Sequence, residues 1–428
     1  MMTEIWLFIA LTIFIIASYK KIIWGLATII TLLPIYLWRV SLFSLPSTFL
    51  ELMIISIFLI WLFKDKRITK INFSLNKKAH NVLSPRWRYL LVAWLLASVV
   101  ALTINPTYAA LGLWRAYFLE PMMFFLVFMY SVKSRADIRI IVKALGLLVV
   151  WLLVVVLYQN FSSWNFIPAY NSPNIKRLTG VFAYPNALAL LTAPIAALFF
   201  GLWVYSKNKF REIIYLVIFI AGFVLAVLAR SDGAVLALTI SVIFWLILAK
   251  KVRKFGVPLL IIIALIAAVV LPINKQIPTT KPSLNPELNL QSNSLDIRLN
   301  QWQETAGMLQ DNFIFGLGIA GYQCGLAAYH QTQWLEIYLY PHNIFLNFWT
   351  ELGLFGVIVF LLMLMSIACL LKDIFDKHSY WAWPLSMMWL TWFVHGLVDV
   401  PYFKNDLSIL FFIMLGLTIV IQQHKKIK

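Results

Sequence analysis

One histidine and three arginines are the residues best placed to do chemistry. His342 stands where a polar stretch gives way to an apolar run, within Tyr340-Pro-His-Asn343. Pro341 suits the start of a helix, so His342 falls at the junction of loop and helix. Asn343, Leu346, Asn347 and Thr350 continue at three- and four-residue spacing. Glu351 lies about two turns deeper, and a carboxylate buried there needs a partner.

The arginines lie in three short polar segments. Arg177 precedes Pro185 and Asn186, where the next apolar run begins. Backbone N–H groups in that first turn suit an anion. A capped helix with an interfacial arginine anchor is the alternative. Arg230 sits in Ala229-Arg-Ser-Asp-Gly233, a very short turn between two apolar runs. A guanidinium fixed there can grip a phosphate through two hydrogen bonds. Pairing with Asp232 is the competing reading. Arg298 and Trp302 are four residues apart and share one helix face. The Gly316–Gly321 stretch lacks a Walker lysine and follows no strand, so it reads as a turn of close approach. In His395-Gly-Leu-Val-Asp399, Asp399 could orient a neighbouring group or simply close the loop.

Spacings that would bind a metal, such as His-x-x-x-His or Cys-x-x-Cys, are missing from the sequence, and so is a serine nucleophile elbow. Arginines plus one histidine suit transfer from a phosphate-linked donor without a metal or other cofactor. The arginines would hold a diphosphate and stabilise the leaving group. A histidine, whose imidazole titrates near ~6.5, could take the proton of an incoming hydroxyl. Such general-base help is worth about 10²–10⁴-fold.

The elements that position these residues are read from composition. Of 428 residues, 62% are hydrophobic and only 12% charged. A soluble domain would be about a quarter charged, so apolar surface must face lipid. Continuous Leu/Ile/Val-rich runs, not alternating, predict transmembrane helices. They fall near 5–18, 22–38, 48–63, 89–104, 113–132, 140–158, 185–205, 213–229, 233–249, 255–272, 343–371, 379–396 and 407–422. The fold class is thus an all-α polytopic membrane protein of 12–13 helices. The first run lacks a basic start and a cleavage site and reads as a retained helix. Cys324 in a loop and Cys369 in a helix make a mutual disulfide unexpected.

The net charge of +18 is a membrane orientation signal rather than a nucleic-acid footprint. Alternate loops carry 26 of the 35 Lys and Arg residues, which places those loops in the cytoplasm. The chemistry-bearing segments then share the other face. The organisation is one membrane domain: N-terminal helices over 1–272, an extracytoplasmic loop over 273–341, and C-terminal helices over 342–428. Within the loop, Ser294–Leu309 is amphipathic at helical spacing.

The sequence resembles the O-antigen ligase and polymerase superfamily. Pro341-His-Asn343 opening a helix, then Glu351-Leu-Gly353 and Gly356, is similar to its signature. So are Arg298 with Trp302, Gly316-Leu-Gly318, Arg177-Leu-Thr-Gly180 with Pro185-Asn186, and His395-Gly with Asp399. The resemblance implies an inverting, metal-independent glycosyltransferase of the GT-C type, working in a bacterial inner membrane. Its members take a glycan from undecaprenyl diphosphate on the periplasmic face and pass it to a hydroxyl of lipid A core, polysaccharide or protein. The resemblance puts the catalytic role on His342 and donor binding on Arg230 and Arg298. Arg177, Asn186, Asn343, Glu351, Trp302 and Asp399 complete the candidate substrate site. Thirteen helices would leave the N-terminus outside, whereas the ligases are expected to have twelve with both ends inside. A polymerase of the same family shares the chemistry. A transporter or flippase of lipid-linked sugars would need midplane polar residues and discontinuous helices.

Overall fold

The computed structural model describes residues 2–42, 45–64, 82–162, 164–172, 175–248, 294–331, 336–377 and 379–423. The chain is helical almost throughout. In order come α1 (Met2–Lys20), α2 (Ile22–Thr31), α3 (Phe49–Lys64), α4 (Pro85–Ile104), α5 (Tyr108–Trp114), α6 (Glu120–Ser131) and α7 (Arg135–Ser162). Then follow α8 (Pro185–Tyr205), α9 (Lys209–Leu228), α10 (Asp232–Leu248), α11 (Ser294–Asp311), α12 (Tyr322–Leu326), α13 (Ile344–Asp376), α14 (Ala382–Gly396) and α15 (Asn405–Gln423). A π-helical turn, Arg115–Leu119, joins α5 to α6 without interrupting the rod.

Seven of these rods are long and apolar enough to cross a membrane: α4, the α5–α6 rod, α7, α8, α9, α13 and α15. The protein is therefore an all-α, multi-pass membrane protein. Eleven of the thirteen expected runs coincide with described helices, and the run at 22–38 is an α-helix only as far as Thr31. The run at 255–272 lies outside the described residues, as do positions 273–293 of the expected extracytoplasmic loop.

Two expectations are corrected. The run at 22–38 is not one helix. Pro34 has no N–H to continue the ladder, so α2 ends at Thr31. A 3₁₀ turn, Leu33–Leu37, follows. The chain then forms a hairpin of β1 (Arg39–Leu42) and β2 (Leu45–Thr48). The run at 343–371 is helical but broken at Gly353, whose φ of 67° only glycine adopts freely. The break frees backbone groups, and the segment before α12 satisfies them. The Leu317 N–H donates to the Thr350 carbonyl at 2.7 Å. The Leu354 N–H donates to the Ile314 carbonyl at 2.9 Å. Membrane-depth backbone is tolerated off the helix only when covered in this way.

The centre of the bundle is α8, packed between α9 and α14, and α15, packed on α6 and α13. In each of these two helices 89% of the apolar window is buried. Small residues let the rods approach closely. A Cβ on Gly201 would come within 2.4 Å of the Pro384 Cα, and one on Gly222 within 2.6 Å of the Ala196 Cβ. At one end of the bundle, loops expected together in the cytoplasm do meet. Lys21, Lys64 and Lys133 line one cleft of about 420 Å³. His342 and its neighbours lie in the loops between other helix ends.

Candidate active site

The site is built where α8, α11, α13 and the turn after α14 meet. Asn343 caps α13, its Oδ1 accepting the N–H groups of Phe345 and Leu346 at 2.9 and 3.1 Å. Its Nδ2 donates to the Leu397 carbonyl at 3.0 Å, tying the helix mouth to the turn that carries Asp399. His342, just before the cap, takes a left-handed backbone with φ 48°. A side chain there is strained, by roughly 1–3 kcal/mol, and needs surrounding bonds to hold it. α11 supplies them. Trp302 Nε1 donates to the Pro341 carbonyl at 2.8 Å, and Gln301 Nε2 to the Tyr340 carbonyl at 2.8 Å.

The imidazole meets a buried carboxylate. His342 Nδ1 lies 3.1 Å from Asp399 Oδ1; the histidine side chain is 18% exposed and the aspartate 1%. The imidazole is thus reachable and its carboxylate is not. Burial alone would push the Asp399 carboxyl up, but the charges of His342, His395 and Arg298 outweigh it and hold the carboxyl down at about 2. Asp399 is therefore an anion at neutral pH. Nδ1 then carries the proton and donates it, leaving the other ring nitrogen as acceptor.

From Asp399 the bonds run on to an arginine. Asn186 Nδ2 donates to Asp399 Oδ2 at 3.0 Å. Asn186 Oδ1 accepts from the Arg177 guanidinium at 2.9 Å. Arg177 Nε donates to the Ala229 carbonyl at 3.1 Å, the residue before Arg230. Arg298 Nε donates to the Val398 carbonyl at 2.8 Å, the residue before Asp399. Arg298 thus acts on Asp399 directly and Arg177 reaches it through Asn186. Burial lowers the Arg177 pKa, and the positive fields of Arg230 and Arg298 lower it further, against Tyr170 and Asp232.

Arg230 is the second left-handed side chain here, with φ 47°. Only four non-glycine residues share that conformation among the described residues, and His342 and Arg230 are two of them. The expected alternative, a pair between Arg230 and Asp232, does not form. Arg230 is half-buried, and no described residue bonds its guanidinium.

Glu351 stands apart from this chain of bonds. Its Oε2 accepts the Ala320 N–H at 2.8 Å, anchoring the glycine-rich segment against the first half of α13. Sequence reasoning passed over Tyr340 and Tyr184. The Tyr340 ring lies 4.8 Å from the His342 ring, edge to face. Its hydroxyl donates to that of Tyr184 at 3.3 Å. The position of Tyr340 beside Pro341 was the only local signal; its contact with Tyr184 spans 156 residues.

No curated protein matches the chain. A family model described as O-antigen ligase does match, over residues 217–361, about a third of the length. That stretch carries Arg230, Arg298, Trp302, His342, Asn343 and Glu351, while Arg177, Asn186 and Asp399 lie outside it. Over residues 217–361, this membrane protein is similar to the O-antigen ligase family.

Proposed function

We propose that the protein is a membrane glycosyltransferase that moves a glycan from undecaprenyl diphosphate to an acceptor hydroxyl. The observation that carries this reading is the hydrogen-bonded series His342, Asp399, Asn186 and Arg177, set beside an Arg230 guanidinium that has no anionic partner among the described residues. The ionised Asp399 directs the basic ring nitrogen of His342 outward. That nitrogen takes the acceptor's proton as the hydroxyl oxygen attacks the anomeric carbon. The carbon–oxygen bond to the diphosphate breaks on the opposite face, and the leaving diphosphate keeps the electron pair. The anomeric configuration inverts in this single displacement.

Arg230 and Arg298 hold the diphosphate, and Arg177 adds positive field from behind. Fixed cations of this kind stabilise charge that develops in the transition state without reorganising. The role of Trp302 and Asn343 is to hold the backbone on either side of His342. Asn186 keeps Asp399 and Arg177 in register. Glu351 supports the site through the glycine-rich segment. The basic loops favour an inner-membrane orientation with this site on the periplasmic face. Ligation and polymerisation use the same displacement and differ only in the acceptor. The break in α13, which a transporter reading would use, is closed by the Ile314–Leu317 segment.

The test is transfer from a radiolabelled undecaprenyl-diphosphate glycan with purified protein. His342→Ala should lose at least about 10²-fold in rate while the protein still inserts and binds donor. Undiminished transfer by that variant removes the general-base assignment.

A further inference from the structure

Besides the hydrogen bonds that run from Asp399 through Asn186 to Arg177, a line of aromatic side chains runs from His342 to a lysine. The Tyr340 ring lies against His342, and the Tyr340 hydroxyl reaches Tyr184. The Tyr184 ring lies 5.5 Å from Lys404 Nζ. Tyr36 and Phe182 complete a cage round that ammonium, their ring centres at 5.2 and 4.3 Å. Lys404 Nζ is 3.4 Å from Asp406, and its side chain is 11% exposed. Tyr36, Tyr184 and Tyr340 each keep part of their surface open.

This wall does not suit a second diphosphate, since its one cation already has a carboxylate. It has what a sugar ring needs: apolar faces for C–H groups, with hydroxyls and an ammonium for the polar rim. Burial raises the Tyr340 hydroxyl well above its ordinary range, so it remains a neutral donor.

We propose that the aromatic wall from Tyr340 through Tyr184 and Tyr36 to Lys404 is the acceptor subsite and binds a pyranose unit next to His342. The word acceptor rests on the transferase reading; sugar binding does not. Transfer needs the hydroxyl within reach of His342, and the wall begins at Tyr340, whose ring lies against the imidazole.

The experiment measures saturation-transfer NMR from the full chain in nanodiscs to methyl glucopyranoside, galactopyranoside and mannopyranoside. At least one glycoside should receive saturation from the parent protein. Tyr36→Phe, which keeps the ring and loses one hydroxyl, should weaken that signal at least about twofold. Lys404→Met should weaken it at least about fivefold. Saturation of a glycoside by a parent protein that shows no transfer would sink the transferase reading and keep the subsite, so the two failures are told apart. In the transfer assay, Tyr36→Phe should raise the acceptor concentration for half-maximal rate and leave that for donor alone. No saturation from any of the three glycosides, or equal signals from parent and both subsite variants, overturns the proposal.

Discussion

The fold treats two arginines, Arg115 within the α5–α6 rod and Arg230 in the turn between α9 and α10, in opposite ways. Arg115 is closed in. Its Nε lies 2.7 Å from Glu51 Oε1 and 3.5 Å from Glu120 Oε1. A second nitrogen donates to Glu51 Oε2 at 2.9 Å and to the Pro46 carbonyl at 3.0 Å. Its backbone is helical, with φ −58°. Arg230 has no carboxylate, no hydrogen-bonded partner among the described residues, and a strained backbone. The first is a tie between α3 and the α5–α6 rod. On the proposed reading the second is a cation that receives the donor. Charge and residue type are the same, and only the surroundings differ.

Two substitutions test that contrast directly, and the largest effect belongs to Arg230. Arg230→Ala should lower donor use by about 10²–10³-fold, as loss of a preorganised charged donor does. Its thermal midpoint should stay close to the parent's, because none of the described residues bonds the guanidinium. Arg115→Ala should do the reverse. It leaves Glu51 and Glu120 buried without their counter-ion, which costs about 3 kcal/mol of stability. Folded Arg115→Ala protein should keep the parent's donor half-saturation. A shared effect of the two variants on donor binding would erase the distinction.

Parts of this contrast were legible before the fold was known. The Pro341-His-Asn343 run announces a cap and a helix mouth because each residue type acts locally. Arg230 in a five-residue turn between apolar runs is pinned by chain length alone. Asp399 was visible only as one residue of a polar turn, because its partners lie 57 and 213 residues away. No spacing rule reaches that far. The broken α13 shows the same limit. Gly353 reads as an ordinary helix glycine until the Ile314–Leu317 segment, distant in sequence, supplies the bonds its φ releases. The short α2 is different. Pro34 is a local signal that ends α2, although the apolar composition runs on past it.

Asp399 sharpens the contrast from the anionic side. His342 and Asn186 occupy both of its oxygens. Its folded pKa of about 2 lies below the unfolded value, so its contribution is full above about pH 4 and fades as pH falls towards 2. Asp399→Asn should therefore cost on the order of 2 kcal/mol at neutral pH. The difference in thermal midpoint between parent and variant should be flat from pH 8 to pH 5 and shrink only below about pH 4. A difference that instead changes through neutrality would mean another group carries the stabilisation.

The smallest effect separates holding the histidine from holding the donor. Trp302 touches the site through one bond, from its indole to the Pro341 carbonyl at 2.8 Å. Trp302→Phe keeps an aromatic ring and removes that bond, worth about 1 kcal/mol. The carbonyl belongs to the residue before His342, whose left-handed backbone needs support. Relaxation there moves the imidazole relative to the acceptor and leaves Arg230 where it is. Maximal rate should fall about fivefold, with donor half-saturation unchanged. Arg230→Ala should fail chiefly at the donor, and Trp302→Phe only in the rate. If the Trp302 variant also lost donor affinity, α11 would be part of the cation's scaffold, and Arg230 would be less open than its missing partners suggest.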